Sequence, residues 1–130
     1  MKTMLFLSVI ISVASAADFT KQIWSQGSEH YLFSFHAASN ILISENCFND
    51  EISLEKSTCE AAKILKQAKT LSAPKNAGVG GRNPGAIVCK DLLLKKIIVL
   101  KDQKNNENAF CSFNDGSMIS AIALQSLLKD

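Results

Sequence analysis

The sequence predicts an α+β protein: a mostly helical N-terminal region, then a small disulfide-pinned α-β-β-α domain with a two-stranded antiparallel hairpin. Three observations carry that expectation. Residues 57–71 join a Ser-x-x-Glu capping signature to apolar residues at helical spacing. Residues 96–113 hold two short runs rich in β-branched and aromatic residues around a polar turn. Four cysteines fall two on each side of the single glycine-rich stretch.

The first sixteen residues read as an export signal. Lys2 gives a positive start, and Met4 to Val13 is an apolar run broken only by Ser8 and Ser12. Ala14-Ser15-Ala16 supplies the small-x-small pattern of a cleavage site, so the mature chain is expected to begin at Ala17. The run is about half the roughly twenty residues that span a bilayer. A periplasmic or secreted destination follows as the expectation, and it changes how the cysteines are read. Cys47, Cys59, Cys89 and Cys111 are an even set in an oxidising space, which favours disulfides. They allow three pairings. The local one, Cys47–Cys59 with Cys89–Cys111, closes two short loops. Zinc is the rival, but no Cys-x-x-Cys or closely spaced His pair occurs, and His30 and His36 are distant from every cysteine in sequence.

Residues 17–71 are expected to be mostly helical. Tyr31, Phe35, Ala38 and Leu42 stand at helical spacing, while Tyr31, Phe33 and Phe35 also alternate as a strand would. The Ala37-Ala38 pair and the length tilt the reading to helix. Phe19, Trp24, Phe33 and Phe35 are assigned to the core. Ser57 is the expected helix cap with Glu60 reaching back, and Ala61, Ile64, Leu65, Ala68 and Leu71 follow. Lys63, Lys66 and Lys69 then form a solvated face.

Residues 72–82, SAPKNAGVGGR, read as a linker. A phosphate-cradling loop would need a Gly-Lys-Ser/Thr ending, which is missing. In residues 83–130, Asn83 caps a helix that has Pro84 at its first position. Lys96–Lys101 is a strand, Asp102–Asn108 a turn, and Ala109–Phe113 a second strand. Asn114-Asp115-Gly116 is a tight turn, and Ser117 caps a last helix carrying Ile119, Ile122, Ala123 and Leu127.

Asn83-Pro84-Gly85-Ala86-x-x-Cys89, a lysine-rich strand, and Cys111-x-Phe113-x-Asp115-Gly116-Ser117 resemble a small bacterial domain-of-unknown-function family, family 333, often labelled hemolysin. The resemblance covers about residues 82–125. It implies the fold of a small cysteine-containing domain and, through the label, a cytolytic role. Leu93-Leu94 stand where the family has Gly-Gly, Asn114 where it has Pro, and its later Cys and Trp are absent.

The sequence excludes several functions. Fourteen basic residues against twelve acidic ones give no nucleic-acid footprint. No Gly-x-Ser-x-Gly elbow accompanies His30 or His36, and Asp50-Glu51 are sequence neighbours that cannot flank a sugar substrate. The reading therefore assigns no catalytic residue, metal ligand or cofactor. It expects an exported, non-enzymatic module binding an unidentified protein partner, with Asp115, Gly116 and Ser117 as its presented surface. A membrane-active factor is the alternative, although no long amphipathic segment supports membrane contact. A small hydrolase ranks third.

Overall fold

The computed structural model describes residues 19–37, 40–47, 57–67, 71–72 and 83–128. The signal segment, Asp50-Glu51, the Phe19 side chain and residues 73–82 of the expected linker lie outside the described residues.

Six antiparallel strands close a barrel in the order β1-β2-β3-β6-β5-β4. β1 (Phe19–Gln26), β2 (Glu29–His36) and β3 (Ile41–Ser44) form one meander. β4 (Lys96–Lys101), β5 (Glu107–Ser112) and β6 (Met118–Ser120) form the other. The meanders join where Ile43 pairs with Ile119 and close where Ser25 pairs with Lys101. Helical segments are short: α1 (Glu60–Leu65), α2 (Pro84–Ile87) running into a π-helical turn at Val88–Leu92, and a 3₁₀ segment at Ala121–Leu127.

The expected helical N-terminal region is corrected by this architecture. Before residue 57, the described residues form three strands and a short 3₁₀ turn at 45–47. The period-two alternation in Glu29–His36 prevails because its partners need it. Tyr31, Phe33 and Phe35 share the inward face, while His30, Leu32 and Ser34 point the other way. Gly27 turns the β1–β2 hairpin at φ 60°, so Gln26 pairs directly with Glu29 across a two-residue loop. Ala37 falls in the next turn, so alanine propensity for helix is overridden by pairing.

The expected α-β-β-α domain is likewise replaced. β4 and β5 pair from Lys96↔Ser112 to Lys101↔Glu107, but as one wall of a barrel built from both halves of the chain. The last helix expected from Ser117 begins instead as strand β6, and only Ala121–Leu127 coils.

The barrel interior holds Trp24, Phe33, Leu42, Leu100, Phe110 and Met118. Trp24 meets Phe110 edge-on at 5.3 Å, and Phe33 lies 4.5 Å from the same ring. Such pairs add about 1 kcal/mol each beyond area burial. A second cluster lies outside the barrel wall, where Ile43, Cys111 and Ile119 meet Ala61, Ala62, Val88, Cys89, Leu124 and Leu127. The helical elements thus cover the β3–β6–β5 side. Cys89–Cys111 staples the π-turn to β5 with Cα atoms 5.7 Å apart, and Cys47–Cys59 ties the end of the first meander to α1 at 5.5 Å. Gly85 leaves no room for a side chain, since a Cβ there would overlap the Ala121 carbonyl. No helix among the described residues is long and apolar enough to cross a membrane.

Candidate functional site

The site is built on α1, a helix too short to hold itself by its own hydrogen bonds. Its first N–H groups have no intrahelical acceptors. Each finds a specific partner. Glu60 N donates to Asp115 Oδ2 at 2.8 Å, Ala61 N to Ser117 Oγ at 3.1 Å, and Ala62 N to Cys59 Sγ at 3.3 Å. Two of these acceptors come from the β5–β6 turn. That turn holds itself rigid: Gly116 takes φ 84°, Ser117 N donates to Asp115 Oδ1 at 2.9 Å, and Ser117 Oγ donates to the same oxygen at 2.5 Å.

Burial acts most strongly on the Asp115 carboxyl and would raise its pKa. The Ser117 hydroxyl and the backbone N–H groups of Glu60 and Ser117 together outweigh it, so the carboxyl titrates below its ordinary 3.8. A carboxylate against a helix N-terminus is also favoured by the peptide dipoles.

Asp115, Gly116 and Ser117, expected as a presented surface, are therefore placed as a joint between two elements. Asp115 and Gly116 are exposed, but Ser117 is fully buried. The expected Ser57 cap is also displaced. Cys59 is the cap, with Ser57 Oγ only 3.5 Å from its N–H, and Glu60 turns away to pair with Lys95 at 3.8 Å. The disulfide and the Asp115 carboxylate occupy the positions that a local capping box would use.

Held this way, α1 presents Glu60, Lys63 and Ile64 on one side, at the i, i+3, i+4 spacing of a helix face, and Gln67 follows just past its C-cap. With Leu93, Lys95 and Phe113 they line a groove of about 310 Å³. Beside it stands Leu94. The chain leaves the π-turn with Leu93 N donating to Val88 O and Lys95 N to Cys89 O, both at 2.8 Å, and Leu94 takes φ 55° between them. This is the left-handed stop that ends helices, and glycine ordinarily fills it. The other non-glycine residues at positive φ among the described residues are Asn40 and Asn105, the type that tolerates it. Leu94 is also 80% exposed, whereas Val99, the next large apolar side chain, reaches 47%. The sequence shows two leucines at a helix end; it does not show which carries the positive φ.

A second groove, of about 500 Å³, lies between the tips of the β1–β2 and β4–β5 hairpins. It gathers Ile23, Ser25, His30, Asp102 and Gln103. Ser25 and His30 are cross-strand partners. The groups are not linked as nucleophile, base and orienting acid. Ser25 Oγ donates to the Lys101 carbonyl at 3.4 Å. The Asp102 carboxylate accepts from Lys104 N, Asn106 N and Asn106 Nδ2 within its own turn. The Asn106 side chain is the chief cause that holds the Asp102 carboxyl below its ordinary pKa. His36, on β2, lies outside both grooves. Among the described residues no three His, Cys, Asp or Glu side chains converge as metal ligands.

The sequence matches no protein-family model, no curated protein and no solved structure.

Proposed function

We propose that the mature chain is an exported, non-catalytic protein-binding module that uses the exposed Leu94 and the adjoining groove lined by α1, Leu93, Lys95 and Phe113. The observation that carries this reading is Leu94 itself. A non-glycine residue in the left-handed region costs about 1–2 kcal/mol, and this one also leaves a large apolar side chain in water. Strain of this kind persists where a function holds it. The adjoining groove adds apolar surface from Ile64, Leu93 and Phe113 and a rim of Glu60, Lys63, Gln67 and Lys95. An apolar centre with a polar rim is the anatomy of a protein-recognition site. Both disulfides suit an oxidising destination, in keeping with the signal-like residues 1–16.

A photo-cross-linking side chain placed at position 94, and separately at Leu32 on the far side of the barrel, tests this in exported protein from the native host. The expected result is a discrete adduct from position 94 and none from position 32. Equal labelling from both would overturn the reading. Leakage of liposomes by the purified chain would instead support a membrane-active factor.

A further inference from the structure

We infer that Cys47–Cys59 is a redox latch: a dithiol reductant opens it, α1 leaves its seat, and the barrel with Cys89–Cys111 stays closed. The effect on binding rests on the groove reading above; the latch itself does not. The two bridges differ in their surroundings. Cys111 is on β5, where it pairs with Ile97 of β4 and Ile119 of β6, and both it and Cys89 are fully buried. The Lys96 carbonyl oxygen lies 3.7 Å from Cys89 Sγ, where it would repel a thiolate. Cys59, by contrast, is part-exposed. Its Sγ accepts from Ala62 N at 3.3 Å and from the Ser57 hydroxyl at 3.5 Å. Those donors stabilise the anion that reduction releases, and a disulfide whose reduced form is stabilised is the easier one to reduce.

The reductant's thiolate attacks Cys59 Sγ, the more exposed end. A mixed disulfide forms as the Cys47–Cys59 bond breaks, and Cys47 leaves with the electron pair. The second thiol of the reductant then attacks the mixed disulfide. Its proton passes through water to Cys47, and Cys59 is expelled as a thiolate held by Ala62 N and the Ser57 hydroxyl. The reductant departs as a disulfide, and the chain has gained two electrons. The seat of α1 depends on this bond because its packing is slight. The helix has six residues, and its fully buried side chains are Ala61 and Ala62, a methyl each. Asp115 and Ser117 supply acceptors for its first two N–H groups, and Cys47, buried in the outer core cluster, supplies the covalent tie. Neither Cys47 nor Cys59 belongs to a strand, so the pairing of the barrel does not pass through them. Opening the latch therefore frees the α1 wall of the groove and leaves the Leu93, Lys95 and Phe113 wall in place.

The test holds the full mature protein in dithiothreitol and follows amide hydrogen exchange, with mass mapping of alkylated thiols to define each stage. When Cys47 and Cys59 are reduced and Cys89–Cys111 is intact, the amides of Ala61, Ala62 and Lys63 should exchange about ten- to a hundredfold faster. Those of β4 and β5 should stay within about twofold, and reoxidation should restore the slow rates. Ser57→Ala removes one donor to Cys59 Sγ and should make this bridge about fivefold harder to reduce at equilibrium. The double variant Cys47→Ala, Cys59→Ser keeps an acceptor at the cap and should show fast α1 amides without reductant. Slow α1 amides after the bridge opens would overturn the latch. So would β4 and β5 amides that quicken with them, since the bridge would then hold the whole fold. With a photo-cross-linking side chain at position 94 and exported protein from the native host, the adduct should vanish on reduction and return on reoxidation. An adduct that persists while the α1 amides quicken would overturn the link to binding. No adduct from the oxidised protein would overturn the binding reading, and the α1 amides would still decide the latch.

Discussion

Replacing Ser117 with alanine tests the joint that holds α1. The hydroxyl is fully buried, accepts from Ala61 N at 3.1 Å and donates to Asp115 Oδ1. Its removal leaves the N–H of Ala61, also fully buried, with no acceptor. An unsatisfied buried amide costs about 1–3 kcal/mol. The lost bond to Asp115 adds less, because that carboxylate is exposed and keeps the N–H groups of Glu60 and Ser117. The expected total is about 2–3 kcal/mol, a large part of a small domain's stability. It corresponds to a fall in Tm of roughly 10 °C. Urea unfolding with both disulfides intact measures it. Ser126→Ala is the control, since that hydroxyl meets only the Ala123 carbonyl on an exposed face and should change stability by under about 0.5 kcal/mol. A Ser117→Ala cost below about 0.5 kcal/mol would refute the idea that the β5–β6 turn caps α1.

Asp115 adds a pH signature. Its folded pKa is depressed, so its stabilising contribution is present above the ordinary value of 3.8 and is lost as pH falls below that towards the folded pKa. Asp115→Asn should be less stable near neutrality and show a shallower loss through that acid range, read by urea midpoints at stepped pH; an unchanged slope would contradict the assignment. Gly85→Ala should destabilise by about 1–3 kcal/mol or more, because its methyl meets backbone rather than a movable side chain. Thermal melting checks this, and a wild-type Tm would show that the α2–3₁₀ contact is looser than described. Under a dithiol reductant, Cys47–Cys59 should open before Cys89–Cys111, because Cys59 is part-exposed while Cys89 and Cys111 are fully buried. Timed alkylation with mass mapping reads the order, and the reverse order would contradict it.

How much of this was legible in the sequence depends on the range of each signal. Asn83 and Pro84 announce a helix start locally, and Asn83 Oδ1 does accept from Gly85 N at 2.8 Å. Lys96–Lys101 reads as a strand from its own residues. The N-terminal region misled because its helical spacing and its alternation coexist, and the choice between them is made by β3 and by closure onto β4. Gly27-Ser28 between alternating runs was the hairpin signal available. The Ser-x-x-Glu box failed for a related reason: its acceptors were supplied by Asp115 and Ser117, fifty-five and fifty-six residues away from the groups they cap. The groove could not be read at all, since Ile64, Leu93 and Phe113 share no spacing.

Leu94→Gly tests the central claim most directly. Glycine relieves about 1–2 kcal/mol of left-handed strain and gives back roughly 0.5–1 kcal/mol in chain entropy. Little burial is lost, because the side chain is 80% exposed. Unfolding and partner capture, read by a photo-cross-linking side chain at Gln67 in the groove lining, are measured on one preparation. The expected result is an unfolding midpoint equal to or above wild type, with the adduct reduced about tenfold, since a single well-placed apolar anchor is worth roughly that much. An undiminished adduct would contradict the claim, because the strain at Leu94 would then serve no recognition.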